Sequence, residues 1–206
     1  TTQGNLTAMG YSALAANTTG DSNTAVGYLA LTANTTGSAN TAVGLSALDA
    51  NTTGGSNTAV GAGALGAHTG GNRNTAVGKN SLATSTTGAD NIAIGFDALN
   101  DLTTGHSNVA IGGYAMDALT TGDSNVAVGH QALGVNTANN NTALGYAALK
   151  LNSTGTANTA VGQNAMATNT TGASNTAVGL NALTANTTAN YGTAVGRSAL
   201  GSNTTG

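Results

Sequence analysis

This 206-residue chain contains no cysteine, proline, tryptophan or glutamate; its charged fraction is 5% and its aromatic fraction 3%. Without cysteine there is no disulfide framework, thiolate metal site or cysteine nucleophile, and without glutamate no glutamate-based acid–base pair. Seven aspartates face two lysines and two arginines, a net charge of −3 with no basic cluster. Nucleic acid is therefore not an expected partner, because neutralising phosphates takes a stripe of lysine and arginine. No apolar run approaches the roughly 18 residues that would cross a bilayer as a helix, so no membrane insertion is expected. The chain opens Thr1-Thr2-Gln3 without a starting methionine or a signal-peptide pattern, which predicts a processed chain or a window of a longer one.

What remains is alanine, glycine, threonine, asparagine and a few aliphatics, and this alphabet is repetitive. The glycine that follows Ala-Val recurs at Gly10, Gly27, Gly44, Gly61, Gly78, Gly95, Gly112, Gly129, Gly145, Gly162, Gly179 and Gly196. Every step is 17 residues except the 16 between Gly129 and Gly145. The unit Asn-Thr-Ala-Val-Gly-x-x-Ala-Leu-x-x-Asn-Thr-Thr-Gly-x-x fills residues 1–206 in twelve copies and leaves no room for a second domain. It is too short for a helix pair or a propeller blade, and its Thr-Thr-Gly and Gly-x-x-Asn segments break helices. The expected fold is all-β, a β-solenoid (a β-helix or β-roll) of twelve coils. At about 4.8 Å per coil the rod would be roughly 58 Å long. The short coil should be a turn deletion near residues 136–141.

Counting from the marker glycine, equivalent positions form columns along the rod. The residue two before it is alanine in every copy, and the residue three after it is alanine except at Ser81, predicting tightly packed walls. The aliphatic column one before the marker (Val26, Val43, Ile94 and equivalents) and the Leu/Met column four after it (Leu31, Leu99, Met116 and equivalents) are predicted to form the core. Charged residues fall one, two, five, eleven or twelve after the marker, so those columns are predicted to face solvent, since an unpaired ion inside so thin a rod would cost several kcal/mol. Asp101, six after, is read as a local turn variation. Two large aliphatics per coil, at roughly 1.5–3 kcal/mol each, fall short of the backbone ordering cost of about 1–2 kcal/mol per residue. Stacking between coils and burial against a partner chain are expected to add to this, and a parallel trimer is one such assembly.

The unit Asn-(Thr/Val/Ile)-Ala-(Val/Ile/Leu)-Gly, followed by Ala-(Leu/Met) and Asn-Thr-Thr-Gly, resembles repeats of phage and bacterial tail-fibre proteins, and Asn91-Ile-Ala-Ile-Gly95 and Asn108-Val-Ala-Ile-Gly112 are the nearest of its strand segments. They are also similar to the left-handed β-roll head repeats of trimeric autotransporter adhesins, whose units are shorter than 17 residues. The resemblance implies an extracellular fibre: a cell-surface appendage, a secreted filament or a virion fibre. The expected function is a structural segment for adhesion or receptor presentation. A self-assembling filament or matrix protein is the alternative, and an ice-binding solenoid the third reading. Both ends repeat the same register without a polar cap, compatible with a window of a longer fibre or with head-to-tail stacking.

Candidate sites are few. The column after the marker holds Tyr11, Tyr28, Phe96 and Tyr146 among Leu45, Ala62, Lys79, Gly113, His130, Gln163, Leu180 and Arg197. It is a candidate contact stripe for a receptor, a glycan or another subunit, or a scatter of exposed apolar residues. Sequons place candidate N-linked sugars at Asn17, Asn34, Asn51, Asn152, Asn169, Asn186 and Asn203, with others at Asn5 and Asn140. The same column accepts Leu102 and Leu119, however, which favours an inward ladder of turn-capping amides. The asparagines four before the marker read as a second such ladder, and the neighbouring threonines as candidates for O-linked sugar. Ice binding asks for paired threonines on one strand face, whereas adjacent threonines point to opposite sides. His68, His106 and His130 fall in three different columns and no aspartate pair is set for acid–base work, so no enzyme, cofactor or metal site is expected.

Overall fold

The repeating Thr-Ala-Val is a three-residue strand, and what it becomes depends on what pairs with it. In the structure, a computed structural model that describes residues 4–204, each copy lies beside its equivalent in the next repeat. Twelve parallel strands, from β1 (Thr7–Met9) to β12 (Thr193–Val195), form one sheet in strict chain order. Register is residue for equivalent residue: Thr24 opposite Thr41, Ala25 opposite Ala42, Val26 opposite Val43. The chain is an all-β solenoid, with no helix among the described residues.

Hydrogen bonding between coils does not stop at the strands. Around one coil, Leu29 N donates to Tyr11 O at 3.0 Å, Leu31 N to Ala47 O at 2.9 Å, Ala33 N to Asp49 O at 3.1 Å and Thr35 N to Thr52 O at 3.0 Å. The whole circumference thus behaves as a ladder, the only arrangement that satisfies the backbone of so thin a rod. Tight turning is accomplished by left-handed residues in three columns: five before, two after and four after the marker. The last of these is the Leu/Met column, at φ between 49° and 57°. A leucine in this conformation carries a steric penalty of about 1–2 kcal/mol, and it is held there because its side chain is the main filling of the core.

The core corrects one expectation. Ala25 and its equivalents through Ala177 are completely buried, as are the alanines three after the marker from Ala30 to Ala182 and the Leu/Met side chains from Leu31 to Met166. The aliphatic column one before the marker, expected inside, is outside: Val60, Ile94 and Ile111 are 37–38% exposed and Leu144 46%. Side chains alternate along a strand. With alanine turned inward, both flanking residues must point out. The sheet therefore presents an uncharged outer face of two columns, threonine or a β-branched aliphatic in one and an aliphatic in the other.

The marker glycine is required by contact as well as conformation. At Gly95, φ is +138°, and a Cβ would meet the carbonyl carbon and oxygen of Gly112 at 2.6 Å. The 16-residue coil is absorbed where expected. Ala138 O takes the place of the turn glycine's carbonyl and accepts from Asn125 Nδ2 and Asn136 Nδ2 at 2.8 Å each. Pairing resumes at once, with Thr142 opposite Val126. The terminal residues 1–3 and 205–206, which head-to-tail stacking, one of the two arrangements compatible with the sequence, would join, lie outside the described residues.

Candidate functional site

Two asparagine ladders run inside the rod and define what the sequon column does. Where both columns hold asparagine, the turn glycine's carbonyl is the shared acceptor: Gly37 O accepts from Asn23 Nδ2 at 2.8 Å and from Asn34 Nδ2 at 2.9 Å. Asn34 Nδ2 also donates to Asn17 Oδ1, and Asn51 Nδ2 to Asn34 Oδ1, each at 2.8 Å. In the other ladder, Asn40 N donates to Asn23 Oδ1 at 2.9 Å, tying successive coils through a side chain. Asn34, Asn51, Asn152, Asn169 and Asn186 are completely buried, each with its Nδ2 donating to a turn carbonyl. A sugar on those five nitrogens has no path to solvent, which removes them as glycosylation sites in the folded chain. Asn17 and Asn203 are half-buried, and Asn17 Nδ2 donates to Gly20 O at 2.8 Å. Asn5 and Asn140 are exposed. The threonines that follow Asn34 and Asn51 are partly exposed and bond along the stack: Thr35 Oγ1 donates to Thr52 O and Thr52 Oγ1 to Thr69 O, both at 3.0 Å.

The sequon column changes character in the middle of the rod, where His68, Ser85, Leu102 and Leu119 replace asparagine and are all completely buried. His68 Nε2 bonds Gly71 O at 2.8 Å, but Nδ1 finds no partner; nor do Asn51 Oδ1 above it and Ser85 Oγ below. Burial holds the His68 pKa below its ordinary value, with the carbonyls of Gly71 and Ser85 opposing.

The predicted contact stripe is exposed, and the structure divides it in two. Tyr11 and Tyr28 stack at 5.3 Å with planes 13° apart. Leu45 and Ala62 then interrupt the rings. A second, longer run starts at Lys79, whose Nζ sits 5.9 Å from the Phe96 ring centroid. It continues through Phe96–Tyr114 at 5.3 Å, Tyr114–His130 at 5.8 Å and His130–Tyr146 at 5.8 Å. Phe96 and Tyr146, three coils apart, are thus joined by two rings: His130, which stands in the same column, and Tyr114, which does not. Tyr114 escaped because it stands one position late: the stripe position of its coil is Gly113, yet the tyrosine ring reaches both column neighbours, Phe96 and His130. The pairing of a glycine in an aromatic column with a tyrosine beside it was the available signal.

Charged groups lie at the surface. Arg73 holds Asp90 in a two-pronged ion pair, Nε to Oδ1 at 2.6 Å and Nη2 to Oδ2 at 2.8 Å, which lowers the Asp90 pKa. Asp117 is pushed upward by partial burial and, to a lesser degree, by Asp101 and Asp97. Among the described residues no group of three histidine, cysteine, aspartate or glutamate side chains could hold a metal ion. No family model, curated protein or solved structure matches the chain.

Proposed function

We propose that the chain is an extracellular structural fibre segment whose uniform rod presents a variable row of side chains for adhesion or receptor contact. The observation that supports this reading is the contrast between inside and outside. The interior alanine and Leu/Met columns barely vary, while the column after the marker changes from tyrosine to lysine, phenylalanine and arginine on one backbone geometry. The likeness to tail-fibre and adhesin-head repeats agrees with it, and no enzymatic activity is part of it. The test is binding to candidate host cells before and after Tyr11, Tyr28, Phe96 and Tyr146 are replaced together by serine. Loss of binding is expected; unchanged binding would overturn the reading.

The second reading, a self-assembling filament or matrix protein, draws on a separate observation. The outer face of the sheet carries no charge in either column over all twelve coils. It is about 53 Å long and roughly 12 Å wide, so pairing two such faces would bury roughly 1,200 Å² in total, the lower end of stable interfaces. Sedimentation of the protein and of a Val77→Lys/Ile94→Lys variant tests it: assemblies that grow with concentration and that the lysines dissociate are expected, and a wild-type monomer or a closed dimer or trimer at all concentrations rejects it.

A further inference from the structure

We infer that the stretch from Lys79 to Tyr146 binds a linear, uncharged polysaccharide, with Tyr114 as the platform for one sugar ring; the inference rests on the reading of the exposed aromatic column as a contact surface.

Ring orientation singles out Tyr114. Rings of equivalent residues one coil apart, such as His130 and Tyr146 at 8° between planes, stack along the rod and cover one another's faces. Tyr114 is turned 74° from Phe96 and 76° from His130. Neither neighbour stacks on it face to face, and the residue is 37% exposed. Its column, two after the marker, otherwise holds Ser12, Leu29, Ser46, Gly63, Asn80, Asp97, Gln131, Ala147, Asn164, Asn181 and Ser198, with a left-handed backbone throughout. A tyrosine at φ 56° in such a column, half outside the protein, gains little for the core.

The same column supplies polar groups to either side. Tyr114 N donates to Phe96 O at 3.0 Å and Gln131 N to Gly113 O at 3.1 Å, so Asp97 lies one coil before the platform and Gln131 one coil after it. Asp97 is half-buried, with Oδ1 turned inward and without a hydrogen-bond partner. An aromatic face flanked by a carboxylate and an amide matches the two chemistries of a sugar ring. Its C–H face, partially positive, rests on the negative face of the arene, and its hydroxyls both donate and accept. The surface is a ridge rather than a pocket, so a small ligand could not be enclosed. A chain that contacts several coils at once can gain affinity by repetition. The 5.3–5.8 Å ring spacing is close to the length of one sugar residue in an extended polysaccharide. Lys79 is the one lysine or arginine of this stretch, against Asp90, Asp97, Asp101, Asp117 and Asp123, which disfavours an acidic polymer.

Affinity electrophoresis in gels containing hydroxyethylcellulose, galactomannan, dextran or polygalacturonate tests the inference. At least one of the three neutral polymers should retard the protein. Tyr114→Ala should weaken that retardation by about tenfold or more, as expected for a central anchor. Tyr114→Phe should keep most of it, and Tyr28→Ala should leave it unchanged. Retardation by polygalacturonate alone, by none of the polymers, or equally for wild type and Tyr114→Ala would overturn the proposal. Should Tyr114→Ala alter the circular dichroism, titration of the wild-type protein decides: proton resonances of Tyr114 and His130 should shift with the neutral polymer, and shifts confined to Tyr11 and Tyr28 would overturn it. Ring-dependent cell binding without polysaccharide binding would remove this inference and leave the adhesion reading standing; loss of both would remove both.

Discussion

The flanking coils and the central coils solve the same packing problem with opposite chemistry. From Asn17 to Asn51 and from Asn136 to Asn186, the interior position of the sequon column is an amide bonded along the rod. At Leu102 and Leu119 it is a hydrocarbon of similar size, and the backbone around it keeps the same register. The substitution is tolerated because the turn carbonyl has two donors in the amide coils and keeps one in the leucine coils. Gly105 O still accepts from Asn91 Nδ2, and Gly122 O from Asn108 Nδ2, each at 2.8 Å. The difference teaches that this position must be filled, and must be either fully bonded or free of polar atoms. Unpaired groups gather at the junction, where Asn51, His68 and Ser85 leave an acceptor, a ring nitrogen and a hydroxyl without partners; elsewhere in the column, among the described residues, only Asn186 Oδ1 at the end of the ladder is left so. The same central coils are also more apolar outside, with Ile92, Val109 and Val126 in the threonine column of the strands and the Phe96–Tyr146 rings beside them.

The largest test asks whether the two regions share one backbone requirement. Gly95→Ala in the centre and Gly179→Ala in the flank both place a Cβ within 2.6 Å of the next coil's backbone at φ above +130°. Each should cost about 4 kcal/mol or more by urea unfolding; a tolerated alanine in one region alone would break the idea of a common scaffold. Next in size, Leu102→Ala should lose about 2–5 kcal/mol through cavity formation. Asn152→Leu should cost only about 1 kcal/mol, because Gly155 O retains the bond from Asn141 Nδ2 at 2.8 Å. If Asn152→Leu proved worse than Leu102→Ala, the equivalence of amide and hydrocarbon filling would fail.

A smaller effect belongs to the junction. The folded His68 pKa lies below the ordinary 6.5, so below that pH the unfolded chain takes up a proton that the folded chain declines. Stability should be constant from this source above about pH 7 and fall as the pH drops through 6.5 toward the lower folded value. His68→Asn should reduce that fall and raise the urea midpoint at pH 5, since its amide can reach both Gly71 O and Asn51 Oδ1. An unchanged pH profile in His68→Asn would show that the junction is not the acid-sensitive point. The smallest effect is expected at Arg73–Asp90, an ion pair on the surface: Asp90→Asn should leave the midpoint almost unmoved at physiological salt.

The asparagine columns were readable as inward ladders because asparagine and leucine exchange within one of them, and the Leu/Met and alanine columns announced the core by their constancy. The valine column misled. Hydrophobicity argued for burial, but in a three-residue strand one inward residue sends both neighbours outward, and alanine, with the smallest side chain, was the one that fitted beneath. The aromatic stripe was legible as a column, yet not as two separate patches, and Tyr114 was lost to a displacement of one residue. Rings that touch across coils need not share a column, because a long side chain can reach the rings of the column beside it.

By itself, the sequence determined the coil length, the number of coils, the parallel in-register stacking and the placement of charge at the surface. All of these follow from a 17-residue periodicity that puts chemically identical residues on top of one another. Only the tertiary structure decided which face of each strand looks inward, that leucine rather than glycine occupies a left-handed turn, and that Tyr114 completes a ring stripe. Those outcomes depend on how closed turns compete for a narrow interior. That competition is settled by contacts between coils rather than by the preference of any residue alone.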